Sequence, residues 1–386
     1  MEKHYTLMHK NIKVAEVTLS KATGQIMKMD CLYHEEHLPM GLQKLSDFEY
    51  DITTLNDWWR NRGIPASREG LGSLLLESGI GSRTLLLEKS WGLNLTDHYW
   101  VRPKNSEASW EEKNFFVNPF SKDVGQLLFE NNEGKEIGTW DLFSPDNTTD
   151  GVLPKQWRIV DGKRCLFKAG NFPYKQQPLN EEAGSAILKA LGIPYVPYTT
   201  IKIDGEVYSV CETFSDESIE FVPAYRIGFP FAMNRNEGNF DYLLRKCAEN
   251  NIPKARDDLE KMLVFDYLMA NTDRHVNNFG FMRHSETLEW LGLGPLFDNG
   301  NSLLHDGKDI QKLKMKPFKS KPADHLKLVQ DLSWFDADKV KIMLPEVQKI
   351  FQKYGLLTTE RVEQLIQLLQ QRLDEVAQYK RELQKN

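Results

Sequence analysis

Asn271-Thr272-Asp273-Arg274-His275-Val276-Asn277-Asn278, followed downstream by Pro295-Leu296-Phe297-Asp298-Asn299-Gly300, is the stretch on which the reading turns. An aspartate, an asparagine five positions later and a second aspartate beyond a hairpin-length insert are what phosphoryl transfer from ATP needs at its centre. One carboxylate, Asp273, orients the attacking hydroxyl and accepts its proton. The amide oxygen of Asn278 and the carboxylate of Asp298 hold magnesium on the phosphates. The pattern points to a kinase-like enzyme.

The residues upstream supply a support for such a loop. Leu259, Met262, Leu263, Phe265, Asp266, Leu268 and Met269 predict a strongly apolar helix running into Asn271. A buried helix is the rigid base that positioned carboxylates require. Asp298 follows the short apolar run from Leu291 to Phe297 and precedes Asn299-Gly300, which places it at a strand end before a turn. His275 lies two residues past Asp273 and is a candidate to hydrogen-bond the catalytic loop or the aspartate itself; a satisfied loop histidine is the bland alternative.

Further upstream, Trp157 to Val160, the turn Asp161-Gly162 and Arg164 to Lys168 form a strand-turn-strand unit ending in a lysine. Asn180 to Leu191 carries apolar residues at helical spacing and stops at Gly192. Ile201 to Ile203 and Val207 to Cys211 flank Asp204-Gly205 as a second hairpin. Hairpin, helix, hairpin is the order of a kinase small lobe. Lys168 is then the candidate to hold the α- and β-phosphates, and a helix carboxylate must hold that lysine. Glu181 and Glu182 both qualify. Thr148 to Lys155 offers hydroxyls, Gly151 and Lys155 as a phosphate-covering turn, although it fits neither Gly-x-Gly-x-x-Gly nor the P-loop pattern.

The rest of the chain bounds this reading. Its 386 residues call for two or three domains. A net charge of -6, from 49 basic and 55 acidic residues, supplies no global field for nucleic acid or membrane. Cys31, Cys165, Cys211 and Cys247 form no Cys-x-x-Cys pair, which speaks against a zinc ribbon or a disulfide framework. The N-terminal residues lack a signal-peptide run and no segment reaches the ~18 apolar residues of a membrane span, so a cytoplasmic protein is expected. Val14, Val17, Leu19, Ile26 and Met29 alternate across Lys21-Ala22-Thr23-Gly24 as a hairpin. Leu71 to Leu76 and Thr84 to Lys89 read as helices. The aromatics from Trp91 to Phe120 read as the core of a small irregular domain rather than a stacking surface. Thr359 to Leu383 carries an apolar face of a terminal helix that packs on its own lobe, or else serves a partner.

The run Asn271 to Phe279 resembles the catalytic loop of the HipA-like serine/threonine kinases, a bacterial family with a protein-kinase-like fold distantly related to the phosphatidylinositol kinases. The helix start Asn180-Glu181, its end Leu191-Gly192-Ile193 and the placing of Lys168 before them are similar to that family too, over roughly residues 140 to 350. The resemblance implies an α+β, two-lobed fold. It comprises a β-rich small lobe at 141–228, a mainly helical large lobe at 229–386, and an additional N-terminal α/β region at 1–140. It also implies an ATP- and magnesium-dependent protein kinase with Asp273 as the catalytic aspartate, Asn278 and Asp298 as metal ligands and Lys168 on the phosphates. Gly151 and Lys155 fall in the family's phosphate-binding loop, and Thr148 where HipA carries an autophosphorylated serine. The adenine hinge is expected near Glu212 and Phe214, with mostly backbone contacts.

A protein substrate follows from the family, and HipA proteins commonly pair with a helix-turn-helix antitoxin; this chain shows no such motif of its own. Residues before 140 are longer and more aromatic than the family's N-terminal subdomain, so that subdomain's role does not transfer. Competing readings are a kinase for a small molecule or lipid head group, a non-catalytic nucleotide-binding module of a regulatory complex, and a nucleic-acid binder, the last weakened by the acidic balance.

Overall fold

A computed structural model describes residues 2–47, 49–68, 70–129, 140–228 and 237–385. The small-lobe boundary expected at 228/229 opens onto residues outside that set. Two compact units emerge. The first comprises Met1–Phe167, Thr213–Val222 and Arg283–Glu289; the second comprises Lys168–Glu212, Pro223–Met282 and Trp290–Asn386.

In the first unit, the strands Ile26–Leu32, Ile12–Ser20, Glu2–His9 and Tyr99–Pro103 lie side by side in that order as an antiparallel sheet. The expected hairpin is there, with Val17 opposite Met29 and Leu19 opposite Ile26. Successive strand residues point to opposite faces, and both faces are covered. Tyr5, Leu7, Val17, Leu19 and Val101 pack with Leu55, Trp58 and Trp59 of the helix Ile52–Arg62. Met8 and Trp100 join Leu93, Trp110, Phe115, Phe116 and Trp157 in a second core. The aromatic run is therefore packing, and a bulge between Leu7 and Met8 lies where the two cores share one strand.

The helix Ile52–Arg62 starts at Asp51, whose carboxylate accepts the Thr53 N–H at 2.8 Å, an N-cap. Gly92 lets the chain pass against this helix: with φ 71°, a Cβ there would fall 2.5 Å from the Trp59 ring.

In the second unit, the helix Gln177–Leu191 opens with Pro178 in its first turn and closes at Gly192, which takes φ 68°. It packs on the antiparallel pair Tyr198–Ile203 and Glu206–Glu212 and on the helix Ala337–Gln352. The helix Ala255–Leu268 is buried all round from Met262 to Leu268, as a central core helix must be. Around it stand the helices Asn239–Glu249 and Thr359–Leu383. The terminal helix buries Val362, Leu365, Leu369, Leu373 and Val376 against its own unit, which is the bland reading of its apolar face. Among the described residues, no helix is long and apolar enough to cross a membrane.

Candidate phosphoryl-transfer site

Lys168 opens the second unit and is buried there. Its ammonium donates to Glu181 Oε1 at 2.6 Å and to Asp298 Oδ1 at 2.5 Å. Glu181 sits one turn into the helix Gln177–Leu191, so a rigid element aims it. Its other oxygen, Oε2, accepts the Asn299 N–H at 2.7 Å, which ties the helix to the residue after Asp298. Glu182, about a third of a turn further round the helix, accepts from Thr200 Oγ1 at 2.5 Å and from Lys353. The choice the sequence left open thus falls to Glu181 as the partner of Lys168. Burial pushes the lysine's pKa down, but the Asp298 and Glu181 carboxylates outweigh it and hold the ammonium well above the ordinary lysine range.

Asp298 is not at a strand end. The strand Trp290–Leu293 finishes earlier, and only Leu296 bridges back, to Tyr195, before Asp298 turns through φ 56°. That left-handed turn presents a partly exposed carboxylate.

The loop after the central helix begins where Ala270 takes φ 48° and Asn271 caps the helix end, its N–H donating to Asp266 O at 2.9 Å. The Asn271 side chain then holds the loop from both sides, giving a hydrogen bond to Asp266 Oδ1 and accepting the Asp273 N–H, each at 2.9 Å. Asn278 Nδ2 donates to Asp273 O at 2.9 Å, which leaves the amide oxygen free of that bond. The Asp273 carboxylate accepts from Asn301 Nδ2 at 2.9 Å and from the exposed Lys316 at 3.0 Å. His275 Nδ1 accepts the Asn277 N–H at 3.3 Å, a bond within its own loop.

Arg274 was given no role by sequence reasoning, yet it joins these pieces. Fully buried, its guanidinium donates to Asp266 from Nε and Nη2 at 3.0 Å, to Asn278 O at 2.8 Å, to Phe297 O at 2.6 Å and to Asn299 Oδ1 at 2.6 Å. One side chain fixes both the Asp273 loop and the segment carrying Asp298. Its signal in the sequence was Asp266, the one carboxylate in the buried run Met262–Leu268, which needs a buried cation.

Thr148, Gly151 and Lys155 come together in the first unit. Thr148 Oγ1 donates to Leu93 O at 3.0 Å and to Pro145 O at 2.9 Å, and Lys155 Nζ donates to Asp150 O at 2.5 Å. Gly151 takes φ 94°, a left-handed backbone that favours glycine, where the turn wraps the Lys155 side chain. Arg68, far away in sequence, donates to the carbonyls of Thr149 at 2.8 Å and Gly151 at 2.5 Å, while its Nη1 is buried without a hydrogen-bond partner. Glu212 is exposed at the end of its strand, and Phe214, half-buried, stands edge-on to Phe221 at 5.4 Å.

Asp146, at the base of this turn, is fully buried; burial pushes its carboxyl up to about 7, against the Trp157 N–H and the Ser144 hydroxyl, which favour the anion. A carboxyl raised above its unfolded value of ~3.9 contributes stability below that pH and loses it as pH rises through the folded value. The expected cost across about pH 4 to 7 is on the order of 4 kcal/mol. Melting scans across that range should fall more steeply for the wild type than for Asp146→Asn, and equal slopes would remove Asp146 as the cause.

Residues 148–376 match the HipA-like C-terminal domain family, a span that holds Thr148, Lys155, Lys168, Glu181, Asp273, Asn278 and Asp298. The chain belongs to that family. This HipA-like chain is also 27% identical over 227 residues to phosphatidylinositol 4-kinase type 2-beta of Xenopus tropicalis, covering 50% of its own length and 43% of the relative's. It thus spans under half of that relative. HipA from the Shewanella oneidensis MR-1 toxin-antitoxin complex with HipB and operator DNA superposes at a TM-score of 0.56 and 14% identity over 99% of both chains. The mixed α/β kinase-like fold of HipA is therefore the fold of this chain. The Helicobacter pylori proinflammatory kinase CtkA overlaps at a TM-score of 0.44 and 18% identity, over 60% of this chain and 95% of its own.

Proposed function

We propose that this HipA-like chain is an ATP- and magnesium-dependent kinase that transfers the γ-phosphate to a serine or threonine hydroxyl of a protein, in growth control of the toxin-antitoxin kind. The observation that carries the reading is the buried Lys168 gripped by Glu181 and Asp298, in a unit where Arg274 ties Asn278 of the Asp273 loop to Phe297, next to Asp298. Family membership supports it.

In this mechanism Lys168 binds the α- and β-phosphates, with Glu181 fixing its direction. Asp273 orients the acceptor hydroxyl and takes its proton. Asn278 and Asp298 offer an amide and a carboxylate oxygen, the hard donors that magnesium prefers, and the ion when bound would neutralise charge on the phosphates. Arg68 Nη1, buried without a partner beside the Thr148–Lys155 turn, supports an anion there. Phosphorylation of Thr148 would require its hydroxyl to leave Leu93 O and Pro145 O, so the modified turn must rearrange. An antitoxin-like protein partner is proposed from the HipB seen with HipA. Adenine contacts at Glu212 and Phe214 and the domain limits 140/141 and 228/229 stand as parts of the same proposal.

The similarity to a phosphatidylinositol kinase favours one second reading, a lipid head group as acceptor. Incubation with labelled ATP, with magnesium or with chelator, separates the two: intact-mass analysis reads phosphate gained by the chain or by candidate proteins, and lipid extraction reads phosphate gained by phosphatidylinositol vesicles. Magnesium-dependent label in protein supports the first reading. Label in lipid alone supports the second, and ATP bound without transfer to either would overturn both.

A further inference from the structure

Three side chains that phosphoryl transfer does not use converge inside the first unit. His9 ends the strand Glu2–His9, His98 immediately precedes Tyr99–Pro103, and Glu220 lies in Ile219–Pro223; all three are fully buried. His9 Nε2 stands 3.1 Å from Glu220 Oε2, His98 Nδ1 stands 3.4 Å from the same oxygen, and the three atoms all lie within 4.8 Å of one another.

The protons on these rings can be placed from their other partners. His98 Nε2 is 2.8 Å from the carbonyl oxygen of Asp216, which can only accept, so Nε2 carries a hydrogen. In the neutral ring Nδ1 then presents a lone pair. It is buried with no hydrogen-bond partner, although Glu220 Oε2 faces it. His9 Nδ1 lies 2.8 Å from His37 Nδ1, and one of the two must donate. When His9 donates, its Nε2 also turns a lone pair on Glu220.

Glu220 is itself held in place from behind. Its Oε1 accepts from Arg283 Nε at 2.6 Å, and Arg283 Nη2 donates to the Tyr99 hydroxyl at 2.9 Å. With His9 in that tautomer, two imidazole lone pairs face a carboxylate oxygen that otherwise accepts only the His98 backbone N–H at 3.3 Å among the described residues, and a cation among them relieves the repulsion. Outer hydrogen bonds that fix tautomer and ligand direction, as Asp216 O and Arg283 do here, are the usual surroundings of a metal-binding histidine and carboxylate.

We propose that His9, His98 and Glu220 form a zinc-class divalent cation site that staples the ends of two sheet strands to the strand Ile219–Pro223. Nitrogen and carboxylate ligands at ~2.0–2.2 Å from a tetrahedral zinc stand about 3.3 Å from one another, and the two separations to Glu220 Oε2, 3.1 and 3.4 Å, bracket that value. The fourth position falls to water. Two imidazoles and one carboxylate suit zinc or cobalt better than magnesium, which favours all-oxygen sites.

The test strips the full-length chain with chelator, adds zinc or cobalt in the presence of excess magnesium, and measures metal retained after gel filtration. The expected result is one zinc per chain and, with cobalt, the intense visible absorption of a tetrahedral site. His98→Gln and Glu220→Gln, which each remove a ligand, are expected to weaken retention by more than the roughly 10–100-fold that loss of an outer partner costs, while Asp298→Asn retains the metal in full. Circular dichroism reports whether each variant is folded; should a variant unfold, the wild-type stoichiometry and cobalt spectrum still decide. A folded wild type that keeps no zinc and shows no cobalt band would overturn the site and leave a proton as the shared cation. Zinc lost with Asp298→Asn but kept by His98→Gln would overturn it equally.

Discussion

An Asp273→Asn enzyme is expected to transfer phosphate on the order of 10²–10⁴-fold more slowly than the wild type, the contribution of a positioned general base. The substitution is nearly isosteric, and the loop should survive it because its anchors are backbone groups. The Asp273 N–H donates to Asn271 Oδ1, and the Asp273 carbonyl accepts from Asn278 Nδ2, neither of which changes. The contact with Lys316 is solvent-exposed and contributes at most about 1 kcal/mol. ATP affinity and melting temperature should therefore stay close to wild type while single-turnover transfer collapses. Transfer within tenfold of wild type would remove Asp273 as the base. A large fall in ATP affinity would instead assign it to nucleotide binding.

The elements around this site were legible in the sequence to different degrees. Apolar spacing and Gly192 marked the helix that carries Glu181, and the strand-turn-strand unit before it marked Lys168, because both signals are local. Spacing did not separate Glu181 from Glu182. Adjacent residues on a helix differ by about a third of a turn, and which one faces Lys168 depends on where the helix packs. The left-handed turn at Asp298 carried no glycine or asparagine at that residue to announce it. Arg68 reaches its turn from some eighty positions earlier and binds backbone carbonyls, acceptors every residue possesses. Likewise, Thr213–Val222 and Arg283–Glu289 belong to the first unit though they lie far along the chain. A Glu220–Arg283 pair inside that unit is visible only once the fold has brought them together.

Arg274→Met is expected to destabilise the chain by about 3–5 kcal/mol, because it leaves a buried carboxylate without its counter-charge. Asp266 is fully buried and, among the described residues, receives its charged partner from Arg274 alone, with Asn271 adding one neutral hydrogen bond. The same substitution strips donors from Asn278 O, Phe297 O and Asn299 Oδ1. Adding Asp266→Leu should recover most of the stability, since an apolar pair of similar volume often replaces a buried ion pair without loss. It should not recover catalysis, because the carbonyls of the Asp273 loop and the Asp298 segment remain unheld. Urea unfolding of the wild type, single variants and double variant measures the first effect, and phosphate transfer by the refolded double variant measures the second. An Arg274→Met chain within 1 kcal/mol of wild type would contradict the buried pair. A stable double variant with full activity would show that Arg274 serves the core alone, and that the Asn278 and Asp298 segments find their places without it.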